Sequence, residues 1–501
     1  MSASKNANDQ SSILLQLPHE LFEIISEHLG HAEISWLRLT CKNLQDRTCH
    51  RFRKRFSHRE TDLSTNSLQK LVDAASHEDF GSAIQDLTIV SVTFDHVYLK
   101  DFIDKDKRHA PNHYYQPAYL QGGRSVTDLT PEQLAQAKWE YNLFTQSAAE
   151  QPSGDALERR LDGTGASHNA STTDREEDEK ASLALTMLAI AFSQLGRIRT
   201  LSLEAAVYKM AAIRLPAYKC TEWPQMWKKG SSVFRVIMTT IAESRIRVER
   251  LSVYGGPWGC SVSTFLVDDL VNTLRDQGLK HAFSGLKALT LCVSLSTRMH
   301  NNPDAYQAPT EKDYKGLRNF LSLCPDLEEL DTHIYQLSTG THDSERIFTE
   351  VSDNIKLPRL IRCTLRGLDL RVDDLMTFLR NCPKIQIFEM RNISLKWNDW
   401  RQIFDYCSSI ENTIGKVILH RLSDHRLLSF GLEGIVDSFT VEGEELKRGI
   451  VYQNAPHGAD PERIQANIDY GPPKMVPLRL KFDRIRGKQY IKVVTLFKRS
   501  G

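Results

Sequence analysis

The sequence FLSLCPDLEELDTHIY occupies residues 320–335, and a near copy of its beginning, FLRNCPKIQIFEM, occupies residues 378–390. In each copy an apolar helix end is followed by a cysteine and then by a proline, at positions 325 and 383. Proline lacks the amide hydrogen that a helix interior needs, so it ends each helix before the next segment begins. That segment follows the phrase apolar-x-x-apolar-x-apolar, which indicates a short strand. The chain therefore repeats a helix-then-strand unit.

The same strand phrase recurs along most of the chain. Its occurrences are Ile84/Leu87/Ile89, Ile198/Leu201/Leu203, Val248/Leu251/Val253, Leu286/Leu289/Leu291, Leu327/Leu330/Thr332, Leu360/Cys363/Leu365 and Ile385/Phe388/Met390. Helical patterns lie between most of them, at residues 233–242, 265–274, 314–323, 375–379 and 400–406. Strands that alternate with helices favour a parallel sheet. We therefore predict an α/β fold, with a first strand-and-helix unit at residues 57–100 and the main domain at residues 181–445.

This alternation resembles the leucine-rich repeats, and the resemblance implies an irregular helix/strand solenoid. The third apolar positions from Leu203 onward lie between 25 and 50 residues apart. Regular leucine-rich repeats measure about 20–29 residues. The alternative is an ordinary α/β domain whose parallel strands share an apolar phrase.

A separate helical unit is predicted at residues 14–56. Apolar residues recur there at helical spacing from Leu17 to Leu29, and Pro18 and Gly30 are typical of a helix start and a helix end. Two further short helices are predicted, and the stretch that follows them is rich in arginine. Three short helices over about 40 residues cannot bury much surface alone. An apolar stripe that no local core covers indicates a docking surface.

This segment resembles the F-box family. The matching residues are Leu17-Pro18, Glu20-Leu21, Ile24-Ile25, Leu29, Ile34, Leu37-Arg38-Leu39 and Thr40-Cys41-Lys42. In that family the module inserts into a Skp-type adaptor, which joins it to a cullin and a RING subunit. The resemblance implies an adaptor interface made by Leu17, Pro18, Leu21, Ile25, Leu29, Ile34, Leu37 and Cys41. The stretch that follows, residues 56–92, is similar in style to fungal F-box proteins.

The F-box resemblance implies a substrate-recognition subunit of a cullin–RING (SCF-type) ubiquitin ligase, with no catalytic site of its own. Two alternatives stay open. The chain could bind the adaptor without serving a ligase, as a regulatory interaction protein. It could also contact nucleic acid through a basic hairpin. The sequence predicts this hairpin at residues 476–498, within a C-terminal region at residues 446–501. Of the two interpretations of its basic residues, we favour charges that block edge-to-edge strand pairing rather than a phosphate-binding patch.

The composition is that of a soluble globular protein, with 501 residues, 41% of them apolar and 25% charged. Lys and Arg number 64 against 63 Asp and Glu, a balance that does not indicate a protein built to coat nucleic acid. The start of the chain lacks a secretory signal pattern, and the longest apolar stretch, 181–192, is too short to cross a bilayer. We therefore expect a cytoplasmic or nuclear protein without a membrane partner.

Motifs for cofactor, metal and catalytic chemistry are missing from the sequence. The nine cysteines include no Cys-x-x-Cys pair, so no zinc site of the usual spacing is expected. The sequence also has no phosphate-binding loop, dinucleotide fingerprint or hydrolase motif, so we expect neither a cofactor nor an enzyme.

The repeat pattern breaks between residues 101 and 180, which we interpret as an insertion. Residues 145–180 are rich in Ala, Ser, Gly, Asp and Glu. A segment with so few apolar residues does not offset the entropy of an ordered chain, so we predict that it is flexible.

Overall fold

The computed structural model describes residues 13–78, 80–94, 142, 145–146, 149–163, 171–209, 213–215, 223–255, 260–295, 309–335, 345–396, 400–424, 428–430, 438–454, 479–485 and 488–494. The first part of the predicted insertion, residues 101–141, lies outside the described residues, as does the stretch before the C-terminal hairpin, residues 455–478.

The described chain begins with five short helices, which we call the N-terminal module: α1 (Ile13–Gln16), α2 (His19–Glu27), α3 (His31–Thr40), α4 (Lys42–Arg47) and α5 (Cys49–Phe56). The prediction of three helices was therefore wrong in number. A one-turn helix precedes the first predicted helix, and the third is divided at Thr48. The Thr48 hydroxyl donates to the carbonyl of Leu44, four residues back, at 2.6 Å, and such a bond bends a helix.

The strands, in chain order, are β1 (His58–Asp62), β2 (Asp86–Phe94), β3 (Arg197–Lys209), β4 (Ile213–Leu215), β5 (Arg247–Val253), β6 (Val262–Ser263), β7 (Ala288–Ser294), β8 (Glu329–Tyr335), β9 (Arg362–Arg366), β10 (Asp369–Arg371), β11 (Ile387–Lys396), β12 (Lys416–Ser423), β13 (Leu428–Ser429), β14 (Ser438–Glu442), β15 (Gln453–Asn454), β16 (Arg479–Ile485) and β17 (Lys488–Val494). Thirteen of them form one open sheet in the order β1-β2-β3-β5-β7-β8-β9-β11-β12-β14, with β4, β6 and β10 pairing beside this path. Neighbours along the path are parallel up to β12, and β14 is antiparallel. The predicted α/β fold with a mainly parallel sheet is confirmed.

Helices connect most of these strands. They are α6 (Thr65–Ser76), α7 (Gly154–Leu161), α8 (Thr172–Leu195), α9 (Trp223–Ser244), α10 (Thr264–Leu274), α11 (Lys280–Phe283), α12 (Glu311–Leu321), α13 (Glu345–Asn354), α14 (Val372–Asn381), α15 (Trp400–Ser408) and α16 (Gly443–Lys447). The five predicted helical patterns coincide with α9, α10, α12, α14 and α15, to within two residues where a pattern runs past the helix end. None of the described helices is both long and apolar enough to cross a bilayer.

The repeated strand phrase sets the register of the sheet. The third positions of consecutive phrases lie directly opposite one another, in the order Ile89, Leu203, Val253, Leu291, Thr332, Leu365 and Met390. All seven are buried, and the apolar ones belong to the same core cluster as apolar residues of the helices. Because strand side chains alternate between faces, one shared register buries one face and leaves the other for polar residues.

The two near-copied junctions enter the sheet in the same way. The amides of 328 and 329 both donate to the carbonyl of Lys287 at 2.8 Å, and the amides of 386 and 387 both donate to the carbonyl of Ile361 at 2.8 and 3.1 Å. Phe320 and Phe378, at the preceding helix ends, are buried. Equivalent residues therefore perform equivalent packing at both junctions.

The prediction that residues 145–180 are flexible was wrong where the structure describes helices there, in α7 and the first part of α8. Each begins at a serine whose hydroxyl accepts a backbone amide, Ser153 from Ala156 at 3.2 Å and Ser171 from Asp174 at 3.1 Å. Ala156 and its neighbour Leu157 are fully buried. The polar average of the segment concealed a few apolar residues that meet the core.

The C-terminal region contains the predicted hairpin, since β16 and β17 pair antiparallel with Ile485 opposite Lys488. A second pair, β13 with β15, brings residues 453–454 back beside residues 428–429. The predicted boundary at residue 446 thus falls inside α16, which contacts the last strands of the main sheet.

Candidate functional site

Large apolar side chains are exposed on helices α2 and α3 of the N-terminal module. Their exposed fractions lie between 41% and 83%, and we call the five of them the apolar surface: Leu21, Ile24, Ile25, Trp36 and Leu39. Other exposed large apolar residues in the described part of the chain are scattered between residues 183 and 451. Isolated exposed apolar residues are ordinary, whereas five within nineteen positions indicate a contact surface.

The helical geometry of α2 explains why these side chains face outward. Phe22 and Ser26 are buried, and residues four apart lie on the same side of a helix, so the remaining apolar residues of α2 are left on the outer side. Ile34 of α3 and Leu44 of α4 are also buried. The Arg47 guanidinium lies 4.4 Å from the centre of the Phe22 ring, over its face.

Arginines of the basic stretch stabilise the module from inside. Arg51 of α5 binds the carboxylate of Glu23 at 2.8 Å and also binds Glu27, so α5 is tied to α2. The hydrogen bond and the charge of Arg51 lower the pKa of Glu27. Arg47 donates to the carbonyl of Leu14 at 3.1 Å, which ties α4 to α1. Part of this basic stretch therefore has an internal structural role.

The structure places the eight predicted interface residues in three environments. Four are exposed: Pro18, Leu21, Ile25 and Cys41. Three are half-buried: Leu17, Leu29 and Leu37. Ile34 has no exposed surface at all. Its assignment to a free interface was wrong because the side chain is fully buried within the chain.

Three residues of the apolar surface were absent from the predicted interface. Ile24 and Leu39 matched the family pattern, but their orientation could not be read from the pattern. Trp36 is 66% exposed, and an exposed tryptophan two positions after the buried Ile34 lies on a different side of α3. The exposure of Trp36 could therefore have been predicted from its spacing to Ile34, but only if the burial of Ile34 had been known.

The module is fixed to the first edge of the sheet by stacked rings. Phe80 lies 5.3 Å from Phe52 and 4.8 Å from Phe56, measured between ring centres, and His77 lies 4.3 Å from Phe80. Helix α5 also runs almost directly into β1, and the carbonyl of Ser57 accepts the amides of residues 85 and 86. The apolar surface is therefore carried at a defined position on the sheet.

The sheet has a polar side opposite the apolar core. One residue from each of seven strands lies on it in a single row across β2, β3, β5, β7, β8, β9 and β11, and we call this row and its neighbours the polar face: Thr88, Ser202, Ser252, Thr290, Asp331, Thr364 and Glu389. Two cavities lie along it, of about 540 Å³ nearer β1 and about 310 Å³ nearer β11, and both are lined by Thr200 and Arg250.

Carboxylates of the polar face are paired with arginines of the same strand, of the next strand or of the next strand but one. Arg250 binds Glu329 through two bonds of 3.2 and 2.8 Å, and Arg366 binds Asp331 at 2.8 Å. Glu389 accepts from Arg391, two residues further along the same strand. The Arg366–Asp331 pair joins the adjacent strands β9 and β8 and supports their register.

Glu389 is the most deeply buried of these carboxylates, with 3% of its side chain exposed. It is bound by Arg391, lies 3.8 Å from Arg362 and accepts from the Thr364 hydroxyl at 3.3 Å. A buried carboxylate needs such partners, because loss of hydration is otherwise very costly.

Burial also alters the titration of neighbouring groups on this face. Burial, assisted by the charge of Arg366, lowers the pKa of His333 to about 3, so this imidazole is neutral at physiological pH. Burial raises the pKa of the Asp331 carboxyl, against the opposing effect of Arg366. Among the described residues, no three His, Cys, Asp or Glu side chains are grouped so that they could hold a metal ion.

Comparison with known proteins adds no assignment. No protein-family model matches the chain, and no curated protein matches it. A functional proposal therefore rests on the two surfaces just described and on the sequence pattern of the module.

Proposed function

We propose that the chain is the substrate-recognition subunit of a cullin–RING ubiquitin ligase, which it joins by inserting its N-terminal module into a Skp-type adaptor. The observation that carries this proposal is the apolar surface: Leu21, Ile24, Ile25, Trp36 and Leu39 are exposed on helices whose own core is small. A cytoplasmic or nuclear location accords with this role.

The energetics of the apolar surface favour a protein partner. Burial of apolar area yields about 25 cal/mol per Å², and tryptophan, here Trp36, is among the residues that most often dominate binding energy. Polar side chains surround the surface, since Glu20, Glu33 and Lys42 are exposed beside it. An apolar centre with a polar rim is typical of a specific protein interface.

The proposed mechanism is proximity. The module holds the ligase, and the polar face holds the target protein, so that an associated conjugating enzyme transfers ubiquitin to a lysine of that target. Holding two reactants together converts a bimolecular step into one that is effectively unimolecular. The rings of Phe52, Phe56 and Phe80 support this role by fixing the module to the sheet.

The first test is co-purification of the full chain with a purified Skp-type adaptor. The double substitution Leu21→Asp and Ile25→Asp should abolish binding, because it places two charges in an interface that excludes water. The matched control is Ile410→Asp, since Ile410 is 85% exposed and lies far along the chain, after α15. Equal adaptor binding by the double variant and the control would overturn the proposed interface.

A second measurement separates a ligase subunit from an adaptor-binding protein that serves no ligase. Reconstituted with adaptor, cullin, RING subunit and conjugating enzyme, the chain should direct ubiquitin to a protein that co-purifies with it from native cells. The Leu21→Asp and Ile25→Asp variant should still capture that protein but should not support transfer to it. Adaptor binding without any transfer would favour the non-ligase role.

A further inference from the structure

Four arginines surround the smaller cavity of the polar face, between strands β5 and β11. They are Arg250, Arg362, Arg366 and Arg391, and three carboxylates, Glu329, Asp331 and Glu389, line the same cavity of about 310 Å³. The formal charges of these seven groups leave one positive charge in excess. Asp331 and Glu389 lie in the same row across the strands, with Thr364 of β9 between them.

The hydrogen bonds in the cavity leave one buried arginine nitrogen without an acceptor. Glu329 already receives two bonds from Arg250, and Glu389 receives Arg391 and Thr364. Arg366 uses its Nε to bind Asp331, at 2.8 Å. Its Nη2 is buried and meets no hydrogen-bond acceptor among the described residues. A buried donor without an acceptor costs free energy. A ligand in the cavity reaches Arg366 only through the 19% of its side chain that is exposed, and it reaches the neighbouring Arg391 through 45%.

A carboxylate matches this position better than a dianionic phosphate. Guanidinium groups bind oxyanions through short, charge-assisted hydrogen bonds. One excess positive charge balances one carboxylate, whereas a second negative charge would lie close to Asp331 and Glu389 with nothing to compensate it. The cavity therefore selects by charge as well as by geometry.

The rest of the polar face suits an extended peptide. The row from Thr88 to Glu389 crosses seven strands, and neighbouring strands lie about 4.8 Å apart, so the row is about 29 Å long. An extended peptide rises about 3.3 Å per residue, so eight or nine residues would span it. The hydroxyls of Ser202, Ser252 and Thr290 lie along this path and can both donate to and accept from a peptide backbone.

We propose that the polar face binds an extended segment of the target protein and that an Asp or Glu side chain of this segment docks against Arg366 and Arg391. This inference deepens the proposed function and rests on it for the identity of the ligand as a target protein. The carboxylate of the segment accepts from the half-exposed Arg391, and its charge is balanced by Arg366, whose side chain is 19% exposed.

The test uses the full chain and biotinylated ten-residue peptide libraries that are degenerate except at one central position. That position is Glu, Gln or phosphoserine, and binding is measured by biolayer interferometry. We expect the Glu library to bind about tenfold more tightly than the Gln library, as one charge-assisted bond predicts. Equal binding of the Glu and Gln libraries, or tighter binding of the phosphoserine library, would overturn the inference.

Two variants and one control locate the preference. Arg366→Gln should remove the preference for Glu, but it also deprives Asp331 of its partner and so risks local unfolding. Arg391→Gln avoids this difficulty, because Glu389 keeps Arg362 and Thr364, and it should reduce the preference at least threefold. The control, Arg401→Gln, changes an arginine on α15 that is 82% exposed and should leave the preference unchanged. An undiminished preference in Arg391→Gln would contradict the assigned site.

Adaptor binding by the same proteins separates this inference from the proposed function. A chain that binds the adaptor but does not distinguish Glu from Gln disproves only the acidic-peptide site. A chain that selects Glu through Arg391 but ignores the adaptor disproves the ligase role and leaves the peptide site standing.

Discussion

Substitution of Ile34 and Leu21 by alanine, one at a time, should separate the core of the N-terminal module from its apolar surface. Ile34 has no exposed surface, so Ile34→Ala should cost about 3 kcal/mol of local stability, through lost burial and the cavity that remains. Leu21 is 49% exposed. Full burial of a leucine side chain contributes about 1.5–3 kcal/mol, so Leu21→Ala should cost about 1 kcal/mol.

The assay is native-state hydrogen exchange of the amides in helices α2, α3 and α4, because it measures local opening of the module separately from the unfolding of the sheet domain. Exchange should accelerate about 150-fold in Ile34→Ala and about fivefold in Leu21→Ala. Adaptor binding should show the opposite order among folded molecules, with the larger loss in Leu21→Ala. Equal acceleration in the two variants would refute the reasoning, since Leu21 would then be as much a part of the interior as Ile34.

Three further outcomes are expected elsewhere in the chain. Burial lowers the pKa of Lys229 from 10.5 to about 8, so the charged lysine destabilises the folded chain below pH 8, and this cost vanishes by pH 10.5. The unfolding free energy of the wild type should therefore rise between pH 8 and pH 10.5, by at most about 3 kcal/mol relative to Lys229→Met. Urea titration at each pH measures this difference. Gly316→Ala would place a Cβ 2.0 Å from the Thr264 carbonyl oxygen, so it should lower the unfolding free energy by about 2–3 kcal/mol in a urea titration. The control is Gly285→Ala, whose Cβ would meet no described atom within 4 Å. It should change the unfolding free energy by less than about 0.5 kcal/mol. Phe80→Ala removes the ring between the module and the sheet, and limited proteolysis should then cut between residues 56 and 86 several times faster than in the wild type, an effect that Ile410→Ala should not reproduce.

The sheet was predictable because its determinant is local. A phrase of three apolar positions fixes which side chains of a strand face the core, and neighbouring strands can bury that face together only if their phrases align. Leu251 and Leu289 thus lie opposite one another, although a long helix and its loops separate them in sequence. The two Cys-Pro junctions were equally informative, because proline ends a helix wherever it occurs within one.

Other elements escaped prediction because their determinants are not local. The strand β1 has the sequence His-Arg-Glu-Thr-Asp, with no apolar alternation, and it exists because its backbone pairs in register with β2 at the sheet edge. Helix α7 has few apolar residues, and Leu157 becomes a core residue only through contact with distant helices. The burial of Ile34 likewise depends on how α3 packs against α4 and α5, which the sequence of α3 alone does not reveal.

In the proposed ligase, the attachment of the module to the sheet determines whether ubiquitin transfer by proximity can operate at all. A flexible linker would lower the effective concentration of the target at the ligase as its length increases. Here the backbone passes from Phe56 into β1 within two residues, and three phenylalanine rings lock the junction. The apolar surface and the polar face are therefore joined through a short, packed connection and not through a long linker. Phe80→Ala should accordingly reduce ubiquitin transfer more than it reduces the binding of the adaptor alone or of the target alone.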